Sequence, residues 1–146
     1  MTIYVGSDHA GFELKSQVIG HLKAAGFSPL DCGPSDGETS VDYPDFAEEV
    51  ASGVASSGEQ GILICGTGIG MSMAANKIPG IRAALAHDEY TAQKARAHNN
   101  ANILVLGARV LDSTVALKMV DAWLHGAFEG RHQRRLDKLA GLETRT

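Results

Sequence analysis

The chain is short of cysteine, of aromatic residues, of long apolar runs and of positive charge, and each shortage excludes something. Two cysteines, Cys32 and Cys65, in 146 residues make neither a disulfide framework nor a metal set of CxxC spacing. A reducing compartment, the cytoplasm, is the expected setting. No stretch approaches the ~18 apolar residues of a membrane span, and the amino-terminal MTIYVGSDHAGF has no basic segment leading into an apolar one. Neither export nor a membrane anchor is expected. A formal net charge of −4 argues against a broad nucleic-acid or anionic-lipid footprint. Only GRHQRR (130–135) is locally basic, which leaves room for a small anionic ligand.

What is present is the composition of a soluble globular protein, 44% apolar and 21% charged, in a length that suits one domain with its own core. There is no internal repeat, low-complexity segment or linker, so residues 1–146 are expected to form a single domain. TIYVG (2–6) reads as a strand, and FELKSQVIGHLKAAG (12–26) as a helix with a glycine stop. FSPLDCG (27–33) reads as a second strand, and PSDGETSVDYP (34–44) as a polar loop. Pro44 suits the start of a helix over 45–58. QGILIC (60–65) is the most apolar strand, followed by a glycine loop and a short helix over 71–77. IRAALAH (81–87) predicts a fourth strand, and 88–99 a helix with Asp88 placed to cap it. ANILVLG (101–107) predicts the fifth strand, 112–128 a helix capped by Asp112 or Ser113, and 131–141 a final helix.

Strands that alternate with helices pair in parallel through right-handed crossovers. The expected fold is therefore α/β: a three-layer α/β/α sandwich, Rossmann-like, around a five-stranded parallel sheet. Ligands in such sheets bind beyond the carboxyl ends of the strands. Residues there include Asp8 and His9 after the first strand, Cys65 and the loop Gly66, Thr67, Gly68, Ile69, Gly70 after the third, and Arg109 after the fifth.

The string CGTGIG lacks the dinucleotide spacing, and no Gly-Lys-Ser/Thr follows to make a P-loop. It is either a tight turn that needs glycine or a set of amides at a helix start, suited to a phosphate or a developing oxyanion. Cys65, at the strand end before those amides, is either a buried structural thiol or a thiolate that acts as nucleophile or general base. Cys32 has no such setting. Asp8 with His9 is a local cap or a ligand pair, and His98 with Asn99 is a helix C-cap or a functional pair. Arg131 and Arg135, four apart, would share one face of a helix and grip a phosphate, unless they are a solvated basic face.

GSDHAGFELK (6–15), DYP (42–44), ILICGTGIGMSMAANK (62–77), HNNANILVLGAR (98–109) and GRHQRR (130–135), in this order over nearly the whole chain, closely resemble the type B ribose-5-phosphate isomerases. The wider family also includes galactose-6-phosphate and allose-6-phosphate isomerases. The resemblance implies a cofactor-independent aldose–ketose isomerase that uses no nicotinamide and no metal. It implies that Cys65 is the base that takes the proton next to the carbonyl. His98 would promote opening of the furanose ring, with Thr67 assisting, and the amides from Gly66 through Gly68 and Ile69 to Gly70 would hold the enediolate oxygen. Asp8 and Asn99 would contact sugar hydroxyls, while His9, Arg109, Arg131 and Arg135 bind the phosphate. A homodimer or dimer of dimers with a shared active site is implied as well.

Two positions depart from the family pattern. One branch carries a glutamate base where this chain has Met71, so Cys65 has no carboxylate competitor there. The family often has two glycines before the RH of the last motif, and here only Gly130 precedes Arg131. The substrate expected is ribose 5-phosphate, with ribulose 5-phosphate as product. The alternatives are galactose 6-phosphate, allose 6-phosphate or a tetrose phosphate, or a non-catalytic sugar-phosphate-binding protein on the same scaffold.

Overall fold

The computed structural model describes residues 1–144. In chain order the elements are β1 (Thr2–Ser7), α1 (Phe12–Ala24), β2 (Ser28–Asp31), α2 (Tyr43–Ser57), β3 (Gln60–Cys65), α3 (Ile69–Ala75), β4 (Ala83–Leu85), α4 (Glu89–Ala97), β5 (Ile103–Gly107), α5 (Ser113–His125) and α6 (Gln133–Leu142), the last preceded by a 3-10 turn over Gly130–His132. The strands form one parallel sheet in the order β2-β1-β3-β5-β4. The chain leaves β1 toward β2 and returns on the other side at β3, so the sheet's switch point lies between β1 and β3, where a ligand crevice is expected.

The two central apolar strands are buried on both faces, as parallel strands under helices must be. Their alternation sorts the core into two layers. Ile62, Ile64, Leu104 and Leu106 point toward a cluster with Leu14, Val18, Leu22, Met119 and Trp123. Leu63, Cys65, Ile103 and Val105 point toward Val50, Val54 and Met71 of α2 and α3. This period of two aims Cys65 at the start of α3.

Local chemistry sets the element ends. The Asp88 carboxylate accepts the Thr91 amide at 2.7 Å and forms a capping box at the start of α4. Asp112, rather than Ser113, caps α5 by accepting from the Thr114 amide at 3.1 Å. Strand β4 is shorter than the apolar run 81–87 predicts. It is an edge strand, and the Asn76 side chain takes its free positions, accepting from the Ala83 amide and donating to the Ala83 carbonyl, both at 2.9 Å. Helix α3 starts at Ile69, two residues earlier than predicted, because Gly68 adopts φ +82 and ends the loop there. The helix predicted over 112–128 stops at His125, where Gly126 turns extended. Among the described residues no helix is long and apolar enough to cross a membrane.

Trp123 has no exposed surface. Its indole Nε1 donates to the Ala101 carbonyl at 3.1 Å, and the Arg96 guanidinium lies 5.0 Å from its ring centre. Trp123→Phe removes that donor and strands a buried carbonyl, a loss of about 1–3 kcal/mol. Urea unfolding should show the midpoint falling with an unchanged m-value; an unchanged midpoint would mean that the indole bond contributes nothing.

Candidate active site

The carboxyl ends of β1 and β3 build one group of residues. Asp8 folds the chain back after β1: its amide donates to the Ile64 carbonyl at 3.1 Å, and its Oδ1 accepts from the Gly11 amide at 3.0 Å. His9 Nδ1 accepts from the Val41 amide at 3.2 Å. That bond puts the proton of the neutral ring on Nε2, which leaves a donor for a ligand.

Cys65 is 5% exposed, and its Sγ accepts from the Gly68 amide at 3.2 Å. Gly68 can aim that amide because its left-handed backbone suits glycine, and a Cβ there would also lie 2.5 Å from Leu85 Cδ1. Two backbone bonds lock the loop against the exit of β5, from Ala108 to the Cys65 carbonyl and from Arg109 to the Gly66 carbonyl, both 2.9 Å. They bring the Arg109 guanidinium beside Gly66, where a Cβ would lie 3.2 Å from Nη1. Thr67 is exposed, and its Oγ1 accepts from the Ile69 amide at 3.3 Å. Ile69 itself is exposed. The ring of Tyr43 packs on Gly70, where a Cβ would lie 2.6 Å from ring carbons. Tyr43 thus forms a wall of the glycine loop.

A second group stands elsewhere. Helix α4 ends at Ala97 with His98 as its cap, Asn99 follows in the turn, and Asn100 reverses the chain at φ +43. That turn is held by Arg96 Nη1 donating to Asn100 Oδ1 at 2.9 Å and Arg82 Nε donating to its carbonyl at 3.0 Å. The His98 ring lies 4.4 Å from that of His132, tilted by 37°. Arg135 donates to His132 Nδ1 at 2.9 Å. A guanidinium only donates, so the His132 proton sits on Nε2, which is buried and has no partner. Burial first, then the charges of Arg131, His98 and Arg135, hold the His132 imidazole below its ordinary pKa, so at neutral pH it is uncharged.

Glu129 joins this group. Its amide donates to the Ala97 carbonyl at 2.8 Å. Its Oε1 accepts from Arg131 Nη2 at 2.8 Å and Nε at 3.1 Å, and its Oε2 is 3.6 Å from His98 Nε2. Arg131 lies in the 3-10 turn and Arg135 in α6, so they do not share one regular helix as predicted. The turn still carries both to the same place. With His98, Asn99, His132 and Leu136 they line a cavity of about 590 Å³.

His98, Glu129 and His132 offer ligand atoms within 4.8 Å of one another, close enough to converge on a cation. The donor set does not fit one. Arg135 takes His132 Nδ1, Arg131 takes a Glu129 oxygen, and two guanidiniums stand beside the cluster. Such an arrangement suits an anion.

Within one chain the two groups are far apart. Asp8, His9, Cys65, Gly66, Thr67, Gly68, Ile69, Gly70 and Arg109 follow the carboxyl ends of strands. His98 and Asn99 precede β5, at the opposite edge, and Arg131 and Arg135 join them there. The paired segments Gly61–Cys65 and Ile103–Gly107 separate the two edges by about 13 Å at 3.3 Å per residue.

The model of the Ribose/Galactose Isomerase family matches residues 3–139. The chain belongs to that family. It is 45% identical over 145 residues to ribose-5-phosphate isomerase B of Escherichia coli, covering 98% of this chain and 97% of that protein. Among solved structures, ribose-5-phosphate isomerase B of Clostridium thermocellum superposes with a TM-score of 0.95 at 49% identity, over 98% of this chain and 97% of the other. The Mycoplasma genitalium enzyme with bound ribulose 5-phosphate gives 0.95 at 46% identity, over 99% and 97%. The family expectation from the five motifs therefore holds, and so does the five-stranded α/β/α sheet. Reading the sequence did not single out Glu129, His132 or Tyr43. His132 stands between the two arginines of GRHQRR and Tyr43 within DYP, which were the available signals.

Proposed function

We propose that this chain interconverts ribose 5-phosphate and ribulose 5-phosphate through an enediolate, at a site that two copies complete. The observation that carries this reading is the split between a buried cysteine under a glycine loop at the sheet's switch point and a His98–Arg131–Arg135 group at the other end of strands that run about 13 Å between the two ends. Neither group alone holds a base, a ring-opening acid and a phosphate grip; facing each other across a subunit contact, they supply all three. Similarity to an enzyme solved with ribulose 5-phosphate supports the choice of substrate.

His98 donates a proton to the ring oxygen as the bond from C1 to that oxygen breaks, and the anomeric hydroxyl loses its own proton to solvent. Cys65, as thiolate, takes the proton from C2, and the electron pair moves onto the C1 oxygen. The loop amides from Gly66 to Gly70, with Thr67, hold the enediolate. A proton passes from the C2 hydroxyl to the C1 oxygen, the Cys65 thiol returns its proton to C1, and the carbonyl rests on C2. No net oxidation occurs, so the chain's own acid, base and donors suffice. Asp8 and Asn99 hold sugar hydroxyls, and His9, Arg109, Arg131 and Arg135 hold the phosphate.

The purified protein should convert ribose 5-phosphate in heavy water to ribulose 5-phosphate with deuterium entering the transferred position. Galactose 6-phosphate, allose 6-phosphate and erythrose 4-phosphate should react at least about tenfold more slowly, the discrimination that one carbon of length provides. A faster hexose phosphate would reassign the substrate. Tight binding with no turnover of any sugar would make the protein a sensor.

A further inference from the structure

We propose that Glu129 is a positioning residue that couples phosphate binding to ring opening: its carboxylate is held by Arg131 in the free protein and passes to His98 when a phosphate takes Arg131. The inference rests on the function proposed above and assigns a task to a residue outside that mechanism.

Glu129 is anchored at the place where the two functions meet. The bond from its amide to the Ala97 carbonyl fixes its backbone one residue from His98. Its side chain reaches Arg131 with one oxygen, at 2.8 and 3.1 Å, and comes within 3.6 Å of His98 Nε2 with the other. The first contact is made and the second falls just short of a hydrogen bond.

The carboxylate is negative throughout the working range, since the Arg131 hydrogen bonds first, and then the charges of Arg131, His98 and Lys94, hold its pKa below the ordinary glutamate value. Arg131 is open to an incoming anion, its side chain being 67% exposed. A phosphate dianion that engages the Arg131 fork competes for the same N–H groups and repels the carboxylate. The ring donor within reach of the released carboxylate is His98 Nε2, and closing 3.6 Å to a hydrogen bond needs less than an ångström of motion. His132, stacked 4.4 Å from the His98 ring and itself fixed by Arg135, keeps the imidazole from swinging away.

The consequence is specific to one chemical step. A carboxylate on Nε2 fixes the His98 ring so that Nδ1–H faces outward as the proton donor and, once that proton is given to the ring oxygen, leaves the remaining proton on Nε2. The removal of the C2 proton by Cys65 gains nothing from it. An aldose that has no furanose ring to open should therefore be indifferent to Glu129. Erythrose 4-phosphate is such a sugar, because its C4 oxygen carries the phosphate.

The test compares the wild type with Glu129→Gln and Glu129→Asp on both sugars, with His98→Asn as the reference. Glu129→Gln should lower kcat/KM on ribose 5-phosphate about tenfold or more, at the lower end of general-acid effects, and on erythrose 4-phosphate by less than about threefold. Glu129→Asp should recover part of the loss. Equal losses on both sugars would overturn the proposal in favour of a general structural role. A second measurement needs no turnover: in 15N spectra of the histidine rings, adding inorganic phosphate to the wild type should shift the His98 Nε2 signal, and Arg131→Ala should abolish the shift. A wild-type His98 signal unmoved by saturating phosphate would overturn the handover even if the isomerase activity is confirmed. If ribose 5-phosphate proves not to be a substrate, the phosphate-driven shift still decides the proposal.

Discussion

Cys65→Ala is expected to remove isomerisation by at least roughly 1,000-fold, within the range set by loss of a proton-transferring group, while binding of the sugar phosphate survives. No carboxylate stands in for the cysteine at position 71. The residue two positions into α3 is Met71, which cannot accept a proton, and the sulfur is the atom that receives the Gly68 amide at 3.2 Å. That amide aims the positive end of a backbone dipole at the place where a thiolate's charge would sit. The phosphate contacts belong to other residues, so kcat should fall and ligand affinity should hold. Cys32→Ala is the control. Burial first, then Glu49 and Asp31, push the Cys32 thiol up to about 11, which keeps it protonated at neutral pH, with no thiolate available to take a proton. Its removal should leave turnover within about twofold, as for a substitution away from the chemistry. The measurement is steady-state kinetics with calorimetric titration of ribose 5-phosphate. Near-normal turnover by Cys65→Ala would eliminate the cysteine as base.

Much of this was legible in the sequence because the signals are local. The unbroken apolar runs of β3 and β5 identify strands covered on both faces, and a cysteine at the end of such a run, followed at once by Gly66 and Gly68, marks the carboxyl edge of the sheet, where ligands of such folds bind. Asp88 announces its cap in the three residues that follow it. What was not legible depends on partners distant in the chain. Strand β4 is short because Asn76 and Asn102 take the bonds of its flanks, to Ala83 and Arg82, and no local pattern at 81–87 shows that. Glu129 looks like one of many surface acids until its amide is seen on the carbonyl of Ala97. The buried, neutral state of His132 follows from Arg135 and from packing on His98, whereas its sequence neighbours alone suggest a basic surface. Arg131 and Arg135 line one cavity, but the single helix expected from their spacing is absent, since Arg131 lies in a 3-10 turn.

The distance between the two groups makes the strongest claim about assembly, and mixing two dead proteins tests it. Arg131 and Arg135 line one cavity with His98 and Asn99, which lead into the amino end of β5, whereas Cys65 stands at the carboxyl end of β3; the paired strands run about 13 Å between those ends at 3.3 Å per residue. One pentose phosphate, with C2 at the cysteine and its phosphate at the arginines, would not bridge that span within a single chain. The proposed two-fold dimer would solve this by setting the cysteine of one copy against the arginines of the other, twice. Arg131→Ala/Arg135→Ala should be nearly inactive at ordinary substrate levels, since each charge-assisted contact contributes on the order of 1.5–3 kcal/mol. Cys65→Ala is inactive for the reason given above. When the two are mixed and allowed to exchange, half of the dimers are mixed, and each mixed dimer has one site with both an intact cysteine and intact arginines. Recovery should approach about a quarter of the wild-type activity, as two-fold symmetry and random pairing require. Ion-exchange separation of the mixed species, with the activity following that fraction, would tie the recovery to the composite site. Mixed dimers isolated in that way but without activity would place the cysteine and the arginines of each site on the same chain, and the claim that they come from opposite copies would be withdrawn.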